Sequence, residues 1–349
     1  MTRGSARVLV AMSGGVDSSV AAALLVEAGH RVVGATLKLW GGESDSGCCS
    51  VADVDDARSV ARCLGIEHHV FNFGDDFDEH VVGPYVTDHA AGRTPNPCIE
   101  CNRHLKFDRL LRRADALGFD AVATGHHARI VDHGDGNRRV ARGADAAKDQ
   151  SYVVHMLDAP TLARVRFPVG HLTKAAVRSE AARLGLGTAD KPDSQDVCFI
   201  TATGGRSTFL GDRIATRPGR VLDAAGATVG AVPAVELVTI GQRRGLGLPG
   251  GHEPAYVIGV DVVSATVTIG SEADLLVETV RLRDLTWIGS PVEGPLRAQT
   301  SAHGLARPCR VAGTTVVYTE PSRRAAPGQS VVLYDGDEVV GGGIVASPS

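Results

Sequence analysis

Two groups of residues in this chain have types and spacings that could carry chemistry. The first is the run Ala11-Met12-Ser13-Gly14-Gly15-Val16-Asp17-Ser18-Ser19. Its two glycines let the main chain approach an anion, and its serines add hydroxyl donors. Set between a strand and a helix, such a loop holds phosphate oxygens with backbone amides and the helix N-terminus. Asp17 can orient a magnesium ion or cap the helix. The loop has no Gly-Lys-Ser/Thr, which predicts a grip on pyrophosphate rather than transfer of a terminal phosphoryl group.

The second group is thiols. Cys98 and Cys101 lie in Thr94-Pro95-Asn96-Pro97-Cys98-Ile99-Glu100-Cys101-Asn102, and Cys198 lies in Asp193-Ser194-Gln195-Asp196-Val197-Cys198-Phe199-Ile200. A helix starting at an Asn102 cap places Cys101 where the dipole favours thiolate. One Cys-x-x-Cys supplies only two of the four ligands of a structural zinc. At Cys198 a reactive thiol and a buried core thiol look alike. Cys48, Cys49, Cys63 and Cys309 lack a proline-stiffened loop or helix terminus and read as unreactive.

These groups need elements to hold them. The pattern predicts strands at Arg7–Ala11, Arg31–Leu37, His68–Phe73 and Asp120–Thr124. It predicts helices at Ser18–Ala28, Asp53–Leu64, Asn102–Leu117 and Thr173–Leu184, closed by Gly29, Gly65, Gly118 and Gly185. That alternation is the mark of an α/β fold with a doubly wound parallel sheet, whose ligand crevice lies at the strand ends. Leu37 and Gly125-His126 fall there. Beyond Gly204 the helical period gives way to short β segments: 255–262, 265–269, 279–287 and 315–318, then a hairpin of 330–334 and 338–345 joined at Asp335-Gly336. We divide the chain into a nucleotide domain (1–203), a small central β-rich domain (204–275) and a C-terminal β-barrel or sandwich (276–349).

Composition agrees with several domains: 349 residues, 43% hydrophobic and 22% charged, exceed what one core usually holds. Aromatics, at 4%, are too few for a nonspecific base-stacking surface, and the net charge of -4 advertises no indiscriminate nucleic-acid binder. Basic residues still cluster locally, at Arg103, Lys106, Arg109, Arg112 and Arg113, and at Arg206, Arg213, Arg217, Arg220, Arg243 and Arg244. The acidic run Asp75-Asp76-Phe77-Asp78-Glu79 reads as a solvated face. No secretory leader is visible, and no apolar run reaches the roughly 18 to 20 residues of a membrane span. The expectation is a cytoplasmic protein with reduced thiols.

The string Ser-Gly-Gly-Val-Asp-Ser-Ser resembles the PP-loop of the ATP pyrophosphatase superfamily. Together with Gly92-Arg93-Thr94-Pro95-Asn96-Pro97, Ala123-Thr124-Gly125-His126, Lys148-Asp149-Gln150-Ser151-Tyr152, Asp196-Val197-Cys198-Phe199-Ile200, Gly241-Gln242-Arg243-Arg244-Gly245-Leu246-Gly247, Pro327-Gly328-Gln329-Ser330 and Gly341-Gly342-Gly343-Ile344, it makes essentially the full chain similar to the bacterial tRNA-specific 2-thiouridylase family. The resemblance implies a PP-loop domain, a central domain and a C-terminal β-barrel that help hold tRNA. It implies ATP, with Mg²⁺, on Ala11 to Ser18, Leu37 and Gly125, a nucleophile at Cys101 and a persulfide carrier at Cys198. Asn96, Pro97 and Cys98 correspond to the part that meets the target base. His126, Lys148, Asp149, Gln150 and Gln329 correspond to tRNA contacts. A basic-aromatic stretch of some relatives maps onto Ser301-Ala302-His303, where this chain departs from it.

The expected reaction is ATP-dependent adenylation at C2 of a wobble uridine, in tRNAs for Lys, Glu and Gln, followed by sulfur transfer. The sulfur comes from a partner such as a cysteine desulfurase or a relay protein. One alternative places a [4Fe-4S] cluster on Cys98, Cys101 and Cys198, leaving one iron open. Others are a different PP-loop adenylating ligase, which has no use for the cysteine pair, and a non-catalytic RNA-binding module, which leaves the loop idle.

Overall fold

The computed structural model describes residues 5–39, 50–134, 136–193, 197–200, 205–250 and 253–347. Cys48 and Cys49, the stretch Ser194-Gln195-Asp196 and the boundary drawn near residue 204 lie outside the described residues. The chain divides into two compact units, one of residues 1–81, 97–201 and 337–339, the other of 82–96, 202–336 and 340–349.

In the first unit, Arg7–Ala11 (β1) is an unbroken apolar run, with Val8, Leu9 and Val10 at most 2% exposed. A strand covered on both faces by helices requires that. Val16–Glu27 (α1) is likewise buried over most of its surface, which explains its alanine content. Arg31–Lys38 (β2) is followed by Val51–Leu64 (α2), opened by a reciprocal Ser50/Asp53 capping box and closed by Gly65 at φ +67°. Glu67–Asn72 (β3) and Gly74–Phe77 (α3) come next, and Gly83–Ala90 (α4) belongs to the second unit.

The helix after the cysteine loop differs from expectation. It opens at Pro97–Glu100 (α5), continues with π-type hydrogen bonding over Cys101–Arg109 and ends in Leu110–Ala116 (α6). Proline suits a first helical position because its φ is already helical and it has no amide to leave unpaired. Asn102 is therefore inside the helix and not its cap; its side-chain amide donates to Val153 O at 2.9 Å.

Ala121–Ala123 (β4), a hairpin of Ala128–Asp132 (β5) and Arg138–Arg142 (β6), Ala159–Arg164 (α7), Val165–Arg166 (β7) and Lys174–Arg183 (α8) complete this unit. The hairpin is absent from the sequence reading, because its polar, arginine-rich strands lack apolar alternation. The main sheet has the order β3-β2-β1-β4-β7 and is parallel throughout. From β1 the chain runs outward through β2 to β3, then returns to place β4 on the other side of β1. That reversal opens a crevice at the C-terminal ends of β1 and β4.

In the second unit, Gly205–Gly211 (α9) is helical, where only β structure was expected. Gly219–Leu222 (β8), Thr228–Val232 (β9), Tyr256–Asp261 (β10) and Thr266–Gly270 (β11) form a sheet in the order β10-β11-β8-β9 around Val221, Val257 and Val267. Leu276–Trp287 (β12), Leu296–Gln299 (β13), Arg307–Ala312 (β14), Thr315–Arg323 (β15), Ser330–Asp335 (β16) and Glu338–Val345 (β17) follow. They run β12-β15-β14-β13-β16-β17, and pairing of β12 with β17 closes a six-stranded barrel. Cys309 lies in the barrel core, where burial pushes its thiol up to about 11. No described helix is long and apolar enough to cross a membrane.

Candidate active site

The loop after β1 sits at the sheet's crevice. Thr36 Oγ1 donates to Met12 O at 2.8 Å and lies 2.9 Å from His68 Nε2, fixing the end of β1 against β2. Ser13 N donates to Ser18 Oγ at 3.2 Å, and the Ser18 and Ser19 hydroxyls return to Gly15 O at 3.1 and 2.9 Å. Gly14 holds φ +72°, and Gly15 is the N-cap of α1 with no side-chain cap, so Asp17 does not cap the helix. Gly125 comes so close to this helix that a Cβ would lie 2.5 Å from Ser18 N.

Ala11, Met12, Ser13, Asp17 and Ser18 line a cavity of about 250 Å³ together with Leu37, Pro97, Cys98, Cys101, Gly125, His126, Gln150 and Cys198. Gly14, Gly15 and Val16 shape the loop without lining the cavity. Cys101 is buried, while Cys98 and Cys198 are partly exposed. Cys98 sits in the first helical turn and Cys101 heads the π-type stretch, in keeping with the habit of such stretches to occur at functional sites. Cys198 follows Val197, whose φ of +55° is rare for a β-branched residue and places strained backbone beside the thiol.

His126 lies between the Phe107 and Phe167 rings with Nδ1 2.7 Å from Thr124 Oγ1. Burial, reinforced by the charge of Lys106, holds its pKa well below the ordinary value, so the imidazole is neutral at pH 7. Gln150 is locked to His127, the residue after His126: its Oε1 accepts from His127 N and its backbone N–H donates to His127 O, both at 2.9 Å. Asp149 is 7% exposed on its side chain, which accepts from Arg142, Gly143 N, Ser151 N and Ser151 Oγ. Lys148 Nζ lies 2.8 Å from Asp193. Asn96 and Gln329 belong to the second unit, where Gln329 Oε1 accepts from Ala326 N at 2.9 Å.

Several residues of the site escaped the sequence reading. Lys174 Nζ is 2.7 Å from Asp17, and His127 Nε2 is 3.0 Å from the same carboxylate. Burial would raise the Asp17 pKa, but hydrogen bonds from His127 and Lys174 outweigh it and the net shift is downward. Lys106, a member of the basic cluster expected on the cysteine-loop helix, lines the cavity as well. The basic helix is partly neutralised locally: Arg109 pairs with Asp76 and Arg112 with Asp108, both at 2.6 Å.

Among the described residues no three His, Cys, Asp or Glu side chains converge as a metal-holding group. Cys98, Cys101 and Cys198 line one cavity, and a cluster bound there would take these three thiols as its ligands with one iron left open. Magnesium carried by a nucleotide makes a smaller demand, since triphosphate oxygens and water supply most of its ligands.

Three family models match in succession: a tRNA methyl transferase HUP domain over residues 6–202, a tRNA methyl transferase PRC-barrel domain over 207–271 and an aminomethyltransferase beta-barrel domain over 277–345. The chain is 46% identical to a tRNA-specific 2-thiouridylase of Roseiflexus sp. (strain RS-1), covering 98% of this chain and 99% of that protein. It is 45% identical to proteins of the same name from Thermobifida fusca, covering 98% and 96%, and from Mycobacterium marinum, covering 98% of each.

Proposed function

The chain belongs to the tRNA-specific 2-thiouridylase family, and from that premise we propose that it is a tRNA sulfurtransferase that makes 2-thiouridine at a wobble position at the expense of ATP. The observation that carries this reading is the lining of one cavity: the anion loop after β1, Cys101 and Cys198 all face it. Adenylating ligases and RNA-binding modules need no such thiol pair beside the loop.

In this reading the uridine O2 attacks the α-phosphorus of MgATP and pyrophosphate departs. The loop amides and the N-terminus of α1 hold the leaving anion. C2 then carries an adenylate, and AMP becomes a leaving group. A partner such as a cysteine desulfurase or relay protein supplies sulfur as a Cys198 persulfide. The Cys101 thiolate attacks the inner sulfur, forming a Cys101–Cys198 disulfide and freeing hydrosulfide, which adds to C2 as AMP leaves. Alternatively the terminal persulfide sulfur adds to C2 directly and Cys101 then cleaves the sulfur–sulfur bond. Both routes end in the same disulfide, and a thiol reductant supplies the two electrons that reopen it.

Asn96, Pro97 and Cys98 would meet the target base, with His126, Lys148, Gln150 and Gln329 contacting tRNA. Asp149, saturated by hydrogen bonds, would position its neighbours Lys148 and Gln150. The substrates would be tRNAs for Lys, Glu and Gln in the cytoplasm. The test is release of AMP and pyrophosphate with and without tRNA bearing an unmodified wobble uridine. Release that depends on this tRNA is expected; release at the same rate without it would overturn the reading.

A further inference from the structure

The arginines and the lysine of the cysteine-loop helix do not act alike. Arg103 lies 3.4 Å from Glu100, Arg109 and Arg112 each lie 2.6 Å from a carboxylate, and the Arg113 guanidinium lies 5.2 Å from the Phe71 ring centre. Lys106, half-buried, lines the cavity with Cys101 and Asn102. The π-type hydrogen bonding of Cys101–Arg109 accounts for this placement. In it an amide bonds to the carbonyl five residues back, as Leu110 N does to Leu105 O, so residues five apart such as Cys101 and Lys106 come to one face. An ordinary α-helix aligns residues three and four apart and would turn Lys106 away from the face of Cys101.

Among the described residues that line the cavity, Lys106 is the one Lys or Arg and Asp17 the one carboxylate. Asp17 is answered by groups outside that lining: Lys174 Nζ at 2.8 and 2.7 Å from its two oxygens and His127 Nε2 at 3.0 Å. The carboxylate therefore does not cancel the ammonium of Lys106. The charge of Lys106 is felt at His126, where it adds to burial in keeping the imidazole neutral. His126 follows Gly125, which abuts the Ser18 amide of the anion loop. One positive charge thus belongs to a wall that adjoins both the loop and Cys101.

We propose that Lys106 is a catalytic residue for adenylation, its ammonium contacting the non-bridging oxygens of the α-phosphate as pyrophosphate leaves. This rests on the thiolation reading and adds to it the group that meets the reacting phosphorus. With the β- and γ-phosphates on the loop amides and the uridine at the thiol end, the α-phosphorus lies between the two, within reach of this wall. The bond from uridine O2 to the α-phosphorus forms, the bridge to the β-phosphate breaks with its electron pair going to pyrophosphate, and the uridine N3 proton passes to solvent. Charge is spread over the α-phosphoryl oxygens in the transition state, where a preorganised cation in a partly apolar cavity stabilises most. The same contact holds the charge of AMP when C2 expels it.

The test is pyrophosphate release by the full chain at saturating MgATP and saturating tRNA with an unmodified wobble uridine. Lys106→Met should lower this rate by about 100-fold or more, the usual loss when one preorganised transition-state contact is removed. Its Kd for ATP without tRNA, and for tRNA without ATP, should stay near the wild-type values, because the contact is made in the transition state. Lys106→Arg keeps the charge and should keep most of the rate. Lys106→Ala should regain rate with added propylammonium, a rescue that a merely structural lysine would not show. An unchanged rate in Lys106→Met overturns the proposal. So does a loss of rate matched by an equal loss of ATP or tRNA affinity, which would make Lys106 a binding or folding residue, and so does Lys106→Ala without rescue. Wild-type release that ignores tRNA overturns the thiolation reading instead, and the Lys106 variants are then compared on that release.

Discussion

Replacing Gly125 with alanine presses a methyl group onto the Ser18 amide, at the point where β4 meets the start of α1. The loop must yield, because the partner is backbone and cannot swing away. Overpacking of this kind costs about 1–3 kcal/mol, so Gly125→Ala should weaken ATP binding roughly tenfold or more, read by calorimetric titration. Unaltered ATP affinity would show that the contact is dispensable. For the thiols, Cys101→Ser and Cys198→Ser should each abolish 2-thiouridine, read by nucleoside mass spectrometry, while retaining ATP affinity. Normal product from either variant would remove that cysteine from the mechanism. Much of the site was legible at this scale. The glycines and serines of residues 11–19 are conformational and hydrogen-bonding signals that act over a few residues. Lys174 was not legible, because nothing near it in sequence marks a lysine that meets a carboxylate 157 residues away.

At the scale of elements, α2 depends on its N-terminus. Ser50 Oγ accepts from Asp53 N, and Asp53 Oδ2 accepts from Ser50 N, both at 3.2 Å. Ser50→Ala removes half of this box and should cost the first unit about 1 kcal/mol, measurable by urea unfolding; no change would mean that solvent replaces the cap. The cysteine-loop helix teaches a different lesson. Asn102 has the residue type of a cap, but Pro97 begins the helix a turn and a half earlier, and tertiary contact with Val153 O claims the asparagine side chain. Charge patterns were also an incomplete guide. Arg217 serves Glu236 at 3.1 Å and Arg213 lies 4.0 Å from the Phe209 ring centre, so both contribute to the central domain's own structure.

For the whole molecule, both units bury histidines that the fold keeps neutral. His155 in the first unit and His89 in the second are lowered from 6.5 to about 4, chiefly by burial. Below pH 6.5 the unfolded chain takes up protons that the folded chain refuses, so stability falls as pH drops from about 6.5 to about 4 and then levels for these groups. Each contributes on the order of 3 kcal/mol to that loss. Urea unfolding at pH 7, 5.5 and 4 should show both units weakening together; equal stability at the three values would contradict the burial of these imidazoles.

The sequence by itself determined the glycine- and serine-rich loop after β1, the parallel α/β pattern and the closing hairpin of the barrel. These depend on backbone freedom, apolar periodicity and motif order, all local properties of the chain. Only the tertiary structure decided that Cys98, Cys101 and Cys198 line the same cavity as the loop, that Asp17 is answered by Lys174, and that Asp193 gathers three cations. Those partnerships follow from the reversal of strand order at β1 and β4, which brings distant segments to one sheet edge where burial makes each unpaired charge costly.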